Sequence, residues 1–148
     1  MAAAFFYGTL MFDEVRAALL GRSPRTVPAS LPGYARRRVA LGSGVQLPVI
    51  RPLAAGRVPG LLVQGLEPAD LSALDRFENV AGGWYRRIRC RVDTEAGPRQ
   101  AFTYVAGPRL PEGAAGAWDP ERFRAEELQR FLLGRVFGAA RPPTTWSR

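Results

Sequence analysis

The chain has 148 residues, 47% hydrophobic and 23% charged, which is enough for one domain with its own core and too apolar for wholesale disorder. It holds no histidine and a single cysteine, Cys90, which excludes Ser-His-Asp and Cys-His catalysis, imidazole or thiolate zinc sites and an intramolecular disulfide. The formal charge of +8 would point to phosphate-bearing partners. However, all 21 basic residues are arginines scattered along the chain, so we read compositional drift and do not expect nucleic acid as a partner.

The first segment, residues 3–9, is an apolar run ended by Gly8 and reads as a buried strand. No charged residue precedes it, so the expectation is a first strand and not a signal peptide. Phe12, Val15 and Leu19 predict a helix over 12–20, closed by Gly21. From Thr26 to Leu41 the chain reads as Pro-punctuated and then extended, with Pro32-Gly33 as a turn. Residues 47–51 and 58–66 predict two strands bent at prolines and glycines.

Pro68 opens a predicted helix over 68–77, where Leu71, Leu74 and Phe77 repeat at helical spacing. Residues 84–93 and 99–106 alternate apolar and polar around Glu95-Ala-Gly-Pro98 and predict a hairpin. The final helix is capped by Asp119, opened by Pro120 and lined by Phe123, Leu128, Phe131, Leu132 and Val136, with Gly138 ending it. No apolar run reaches the ~20 residues that span a bilayer. The expectation is one domain over 1–138 with a tail over 139–148, of α+β class, built on a mainly antiparallel, strongly curved sheet.

Two segments hold residues suited to chemistry. At Tyr7-Gly8-Thr9-Leu10 a strand passes through glycine into a helix start, where free backbone N–H groups favour an anion. Taken alone, such a glycine is more often a simple turn. In Leu74-Asp75-Arg76-Phe77-Glu78, the last carboxylate lies four residues after Leu74, near the apolar stripe. The helix C-terminus and apolar surroundings both disfavour its ionised form, the direction useful for acid/base work, although a glutamate here is more often a surface residue. Asp75 reads as solvated or locally bonded, and Cys90 as an inert thiol.

Together these segments resemble the gamma-glutamyl cyclotransferase-like superfamily, which includes the plant avirulence-induced branch and many bacterial members. Leu31-Pro32-Gly33-Tyr34, Pro48-Val49-Ile50, Val58-Pro59-Gly60, Trp84-Tyr85-Arg86-Arg87 and Ala101-Phe102-Thr103-Tyr104-Val105 carry the resemblance over roughly residues 4–106, in order. It implies a curved, mainly antiparallel sheet closing into a small barrel flanked by helices. It also implies an acyltransferase or lyase type of activity, needing neither metal nor cofactor, that releases 5-oxoproline and an amine from a gamma-glutamyl amide. In that resemblance Glu78 is the general acid/base. Tyr7, Gly8, Thr9, Leu10 and Tyr85 hold the substrate, with Tyr85 able to offer its hydroxyl. Tyr104 is a weaker candidate, and Arg87 is read equally well as a strand-surface ion pair.

The sequence departs from the family pattern at Leu47, where Tyr is common, at Asn79, where Gly is frequent, and in the longer Val80-Ala81-Gly82-Gly83 stretch. The other reading is a non-catalytic module binding a small carboxylate on the same fold. The expected partner is a small gamma-glutamyl compound, with no membrane, in the cytoplasm, as a monomer or homodimer. Trp118 and Trp146 read as exposed and leave room for the dimer.

Overall fold

A computed structural model describes residues 1–41, 46–112 and 116–136. Five strands, β1 (Ala2–Phe6), β2 (Thr26–Ala40), β3 (Gln46–Leu66), β4 (Tyr85–Thr94) and β5 (Gly97–Ala106), close a barrel in the order β1-β3-β2-β4-β5. All neighbours are antiparallel except β1 and β5, which run parallel and meet at Ala4 and Phe102. Helices α1 (Asp13–Leu20), α2 (Pro68–Phe77), α3 (Pro120–Glu126) and α4 (Leu128–Phe131) flank it. The expected α+β barrel is the architecture observed.

Successive side chains of a strand face opposite ways, and β1 is buried on both faces. Phe5 joins a cluster of strand residues and Tyr7 that fills the barrel, with Ile50, Leu62 and Val92. Ala4 and Phe6 join a larger cluster outside it, with Val15 of α1, Leu74 and Phe77 of α2 and Phe123 of α3. This explains why the first segment is an unbroken apolar run and does not alternate.

Four expectations are corrected. Residues 47–51 and 58–66 belong to one 21-residue strand. β3 stays paired with β2 across an irregularity, where Pro32 faces Arg57 but Tyr34 faces Pro52. The Pro32-Gly33 turn is therefore a bend inside β2, with Gly33 at φ +86° and Gly56 so close to the Tyr34 carbonyl that a Cβ would lie 2.3 Å from its oxygen. The last helix is not continuous, because Glu127 at φ −128° breaks it between α3 and α4, and a π turn over Leu132–Val136 follows. The cause lies in the spacing. Phe123 and Leu128 are five residues apart, which on a regular helix separates them by about 140°. The break lets both reach the core, at 3% and 6% exposure.

Trp118 is the fourth correction. It is buried and packs 5.5 Å from Phe123 and 5.6 Å from the Arg36 guanidinium, so it offers no exposed dimer surface. Gly138, Trp146 and the tail lie outside the described residues. No helix among the described residues is long and apolar enough to cross a membrane.

Candidate functional site

Tyr7 leaves the end of β1, and Gly8 opens a short 3-10 turn over Thr9–Met11 before α1 begins at Asp13. The turn is closed by the Met11 N–H donating to the Gly8 carbonyl at 2.9 Å and the Phe12 N–H donating to the Thr9 carbonyl at 3.3 Å. Among the described residues, no backbone carbonyl takes the N–H groups of Gly8, Thr9 or Leu10. The helix start expected to follow Gly8 directly is thus a tighter turn, with the same excess of donors.

Helix α2 supplies the carboxylate. Pro68 sits in its first turn, and the Asp70 carboxylate accepts the Glu67 N–H at 2.9 Å, fixing the start. Leu74 and Phe77 seat its apolar face. Glu78 is the residue that caps the other end, half-buried, its N–H donating to the Leu74 carbonyl at 2.9 Å. The chain then turns at Asn79, whose φ of +54° lies in the left-handed region. Glycine serves there commonly, and asparagine is among the few side chains that tolerate it. The departure from the family pattern at this position therefore preserves the turn that follows the glutamate.

All six residues singled out in the sequence, Tyr7, Gly8, Thr9, Leu10, Glu78 and Tyr85, line one pocket of about 410 Å³, opening to solvent included. Leu47, Pro48, Phe77, Tyr104 and Phe131 complete most of its wall. Three tyrosines are locked in place by their hydroxyls. Tyr7 donates to the Tyr104 carbonyl at 2.7 Å, Tyr85 donates to the Pro48 carbonyl at 2.6 Å, and Tyr104 donates to Asp75 Oδ1 at 2.7 Å. The Tyr85 proton is thus taken by the protein, and its oxygen can meet a ligand only as an acceptor.

Burial pushes the Tyr7 hydroxyl well above the ordinary tyrosine pKa, helped by the charges of Tyr85 and Glu78. Tyr104 moves the same way, through burial first, then its bond to Asp75 and the charge of Glu78. Both stay neutral phenols at any physiological pH. Burial also raises the half-buried Cys90 thiol to about 11, which leaves it a poor nucleophile. Among the described residues, no group of three or more His, Cys, Asp or Glu side chains is placed to hold a metal ion.

Asp75 does not line the pocket but holds Tyr104, which does, and the sequence did not reveal this place. Besides accepting from Tyr104, it pairs with Arg87, whose Nε lies 3.4 Å away and whose guanidinium stacks 4.7 Å from the Phe102 ring. The available signal was its place in the Leu-Asp-x-Phe-Glu motif, since a helix position facing away from the apolar stripe says nothing of a partner 29 residues later.

With this geometry in view, the comparisons with known proteins agree with one another. The family model described as gamma-glutamyl cyclotransferase, AIG2-like, matches residues 4–120. The chain is 33% identical to AIG2-like protein D of Arabidopsis thaliana over 135 residues, which is 89% of this chain and 85% of that protein. It superposes on a solved Arabidopsis thaliana structure with a TM-score of 0.64 at 29% identity, covering 89% of this chain and 78% of the other. A structure titled gamma-glutamyl cyclotransferase shares the fold, with a TM-score of 0.69 at 15% identity over 98% of this chain and 83% of that one. The chain belongs to the gamma-glutamyl cyclotransferase, AIG2-like family.

Proposed function

We propose that this protein is a gamma-glutamyl cyclotransferase-type enzyme that releases 5-oxoproline and an amine from a gamma-glutamyl amide. The single observation that carries this reading is the meeting of the Tyr7–Leu10 loop and Glu78, about seventy residues apart in the chain, in one pocket. One contributes unpaired donors and the other a carboxylate. A reaction whose nucleophile belongs to the substrate needs both and needs no histidine or activated cysteine.

The substrate's α-amino nitrogen bonds to its own γ-carbonyl carbon, and the bond from that carbon to the leaving amine breaks. Glu78 takes a proton from the α-ammonium, freeing the nitrogen lone pair, and returns it to the leaving amine; the second proton, shed by the nitrogen as the lactam forms, passes through the same carboxylate, so the amine departs as its ammonium. The N–H groups of Gly8, Thr9 and Leu10 hold the α-carboxylate or the oxyanion that develops on the γ-carbonyl. The walls of Tyr7, Tyr85, Phe77 and Phe131 fold the flexible glutamyl arm into the attacking geometry. Alignment of this kind supplies several kcal/mol, on the order of the gain in intramolecular reactions.

The test is to incubate the protein with a panel of L-gamma-glutamyl amides and follow 5-oxoproline by mass spectrometry. Glu78→Gln is run alongside. We expect product from the wild-type protein and a loss of at least about a hundredfold in the variant, within the span attributed to general acid/base groups. Circular dichroism should be unchanged. Turnover retained by Glu78→Gln would remove Glu78 from its role. Binding of 5-oxoproline without turnover across the panel would leave a carboxylate-binding module.

A further inference from the structure

Arg16 is the most deeply buried charged side chain among the described residues, at 4% exposure. Its ion-pair partner Asp13, 3.3 Å away, is 68% exposed and offsets little of the charge. Its Nε is buried without a hydrogen-bond partner. Nη1 donates to the carbonyls of Leu10 at 2.9 Å and Met11 at 2.7 Å. Arg36, stacked on Trp118, donates from Nη1 to the Tyr7 carbonyl at 2.9 Å. Burial lowers the pKa of both, yet a guanidinium remains charged at neutral pH.

Every carbonyl from Tyr7 to Met11 is therefore occupied. Tyr7, Leu10 and Met11 accept from guanidinium groups, and Gly8 and Thr9 accept from the N–H groups of Met11 and Phe12. The carbonyl of one residue shares its peptide unit with the N–H of the next. Arg36 on the Tyr7 carbonyl thus polarises the N–H of Gly8. Arg16 on the Leu10 carbonyl polarises the Met11 N–H, which bonds the Gly8 carbonyl and so polarises the N–H of Thr9. Arg16 on the Met11 carbonyl acts through the Phe12 N–H and the Thr9 carbonyl on the N–H of Leu10. Chains of this kind strengthen cooperatively in a low-dielectric interior.

We infer that Arg16 and Arg36 are positioning residues that turn the loop's three free N–H groups away from its carbonyls and charge them for an anionic ligand group. The site then demands a carboxylate and discriminates against its neutral amide. This rests on the placement of a substrate carboxylate at the loop, but its test does not depend on turnover.

Calorimetry would compare binding of 5-oxoproline with its neutral carboxamide in the wild-type protein, Arg16→Met, Arg16→Lys and Arg36→Met. The wild type should prefer the carboxylate. Arg16→Met should lose about tenfold in affinity for it, the scale of a lost charged hydrogen bond, while the carboxamide changes less than twofold. Arg16→Lys, keeping a cation that reaches fewer acceptors, should fall between. Should Arg16→Met fail to fold by circular dichroism, the carboxylate preference must still drop in Arg16→Lys and Arg36→Met. A preference unchanged in the folded variants, equal weakening of both ligands, or a wild type that prefers neither would overturn the inference. A wild type that prefers the carboxylate but releases no 5-oxoproline from any amide would defeat the cyclotransferase reading and leave this one standing.

Discussion

Gly8 is held to glycine by contact, not by a left-handed backbone. A Cβ added there would lie 2.4 Å from Cγ and 2.9 Å from Cβ of Pro48, a rigid ring on the pocket wall. Pro48 cannot rotate out of the way, so β3 must move. Its carbonyl is the acceptor for the Tyr85 hydroxyl, and the shift passes to a second wall of the pocket. Gly8→Ala should therefore cost about 1–3 kcal/mol of stability, as overpacking does, and lower turnover by more than that loss of folded protein explains. Urea unfolding gives the first quantity, and turnover per folded molecule gives the second. A variant with wild-type turnover would show that β3 yields freely. The glycine and the glutamate were legible in the sequence because each closes a regular element. Arg16 and Asp75 were not, because the spacing that marks an exposed helix face carries no information about which buried carbonyl or distant tyrosine it meets.

At the scale of elements, the same rule separates what the sequence revealed from what it hid. α2 was legible over 68–77 because Pro68, the leucine spacing and the post-helical turn all state the same boundary. β3 reads in the sequence as two strands because proline and glycine usually end a strand, whereas here they bend one that stays paired on both sides of the irregularity. The final helix read as continuous because its N-cap was clear, and only the five-residue step from Phe123 to Leu128 hinted at the break. α2 also supports a prediction. Asp70 is buried at its start, accepting the Glu67 N–H and pairing with Arg22, while Glu78 stands at its far end. Asp70→Ala should lower stability by about 1–2 kcal/mol, as loss of a cap does. Because Leu74 and Phe77 still seat the C-terminal turn, turnover per folded molecule should stay within about twofold of wild type. A large loss of turnover at unchanged stability would mean the helix start is coupled to the pocket by a route other than folding.

The whole molecule is unusual in what it can titrate. It has no histidine, and all 21 of its basic side chains are arginine, so no imidazole changes charge near neutrality and no lysine ammonium is lost at alkaline pH. The alkaline limb of stability is then governed by side chains whose protons the fold retains. Tyr7 and Tyr104, 5% and 2% exposed, have pKa values raised above the ordinary 10, and Cys90 is raised from 9.0 to about 11. The unfolded chain releases these protons as pH passes 9 to 10, and the folded chain holds them. The unfolded state therefore binds fewer protons, and stability must fall as pH rises, by up to about 1.4 kcal/mol per pH unit for each of Tyr7 and Tyr104 once it is fully ionised in the unfolded chain. The stabilising effect is complete below the unfolded values and is lost above them. Urea unfolding at intervals from pH 8 to 11 should show a flat start and a steep decline beyond pH 10. Absorbance at the phenolate band should show that ionisation of Tyr7 and Tyr104 coincides with loss of structure. Tyr104→Phe should shallow the decline by the share of one group while costing about 1 kcal/mol at neutral pH for the bond to Asp75. If the slope is unchanged in that variant, Tyr104 ionises in the folded protein, and the pocket wall is open to water where the structure buries it.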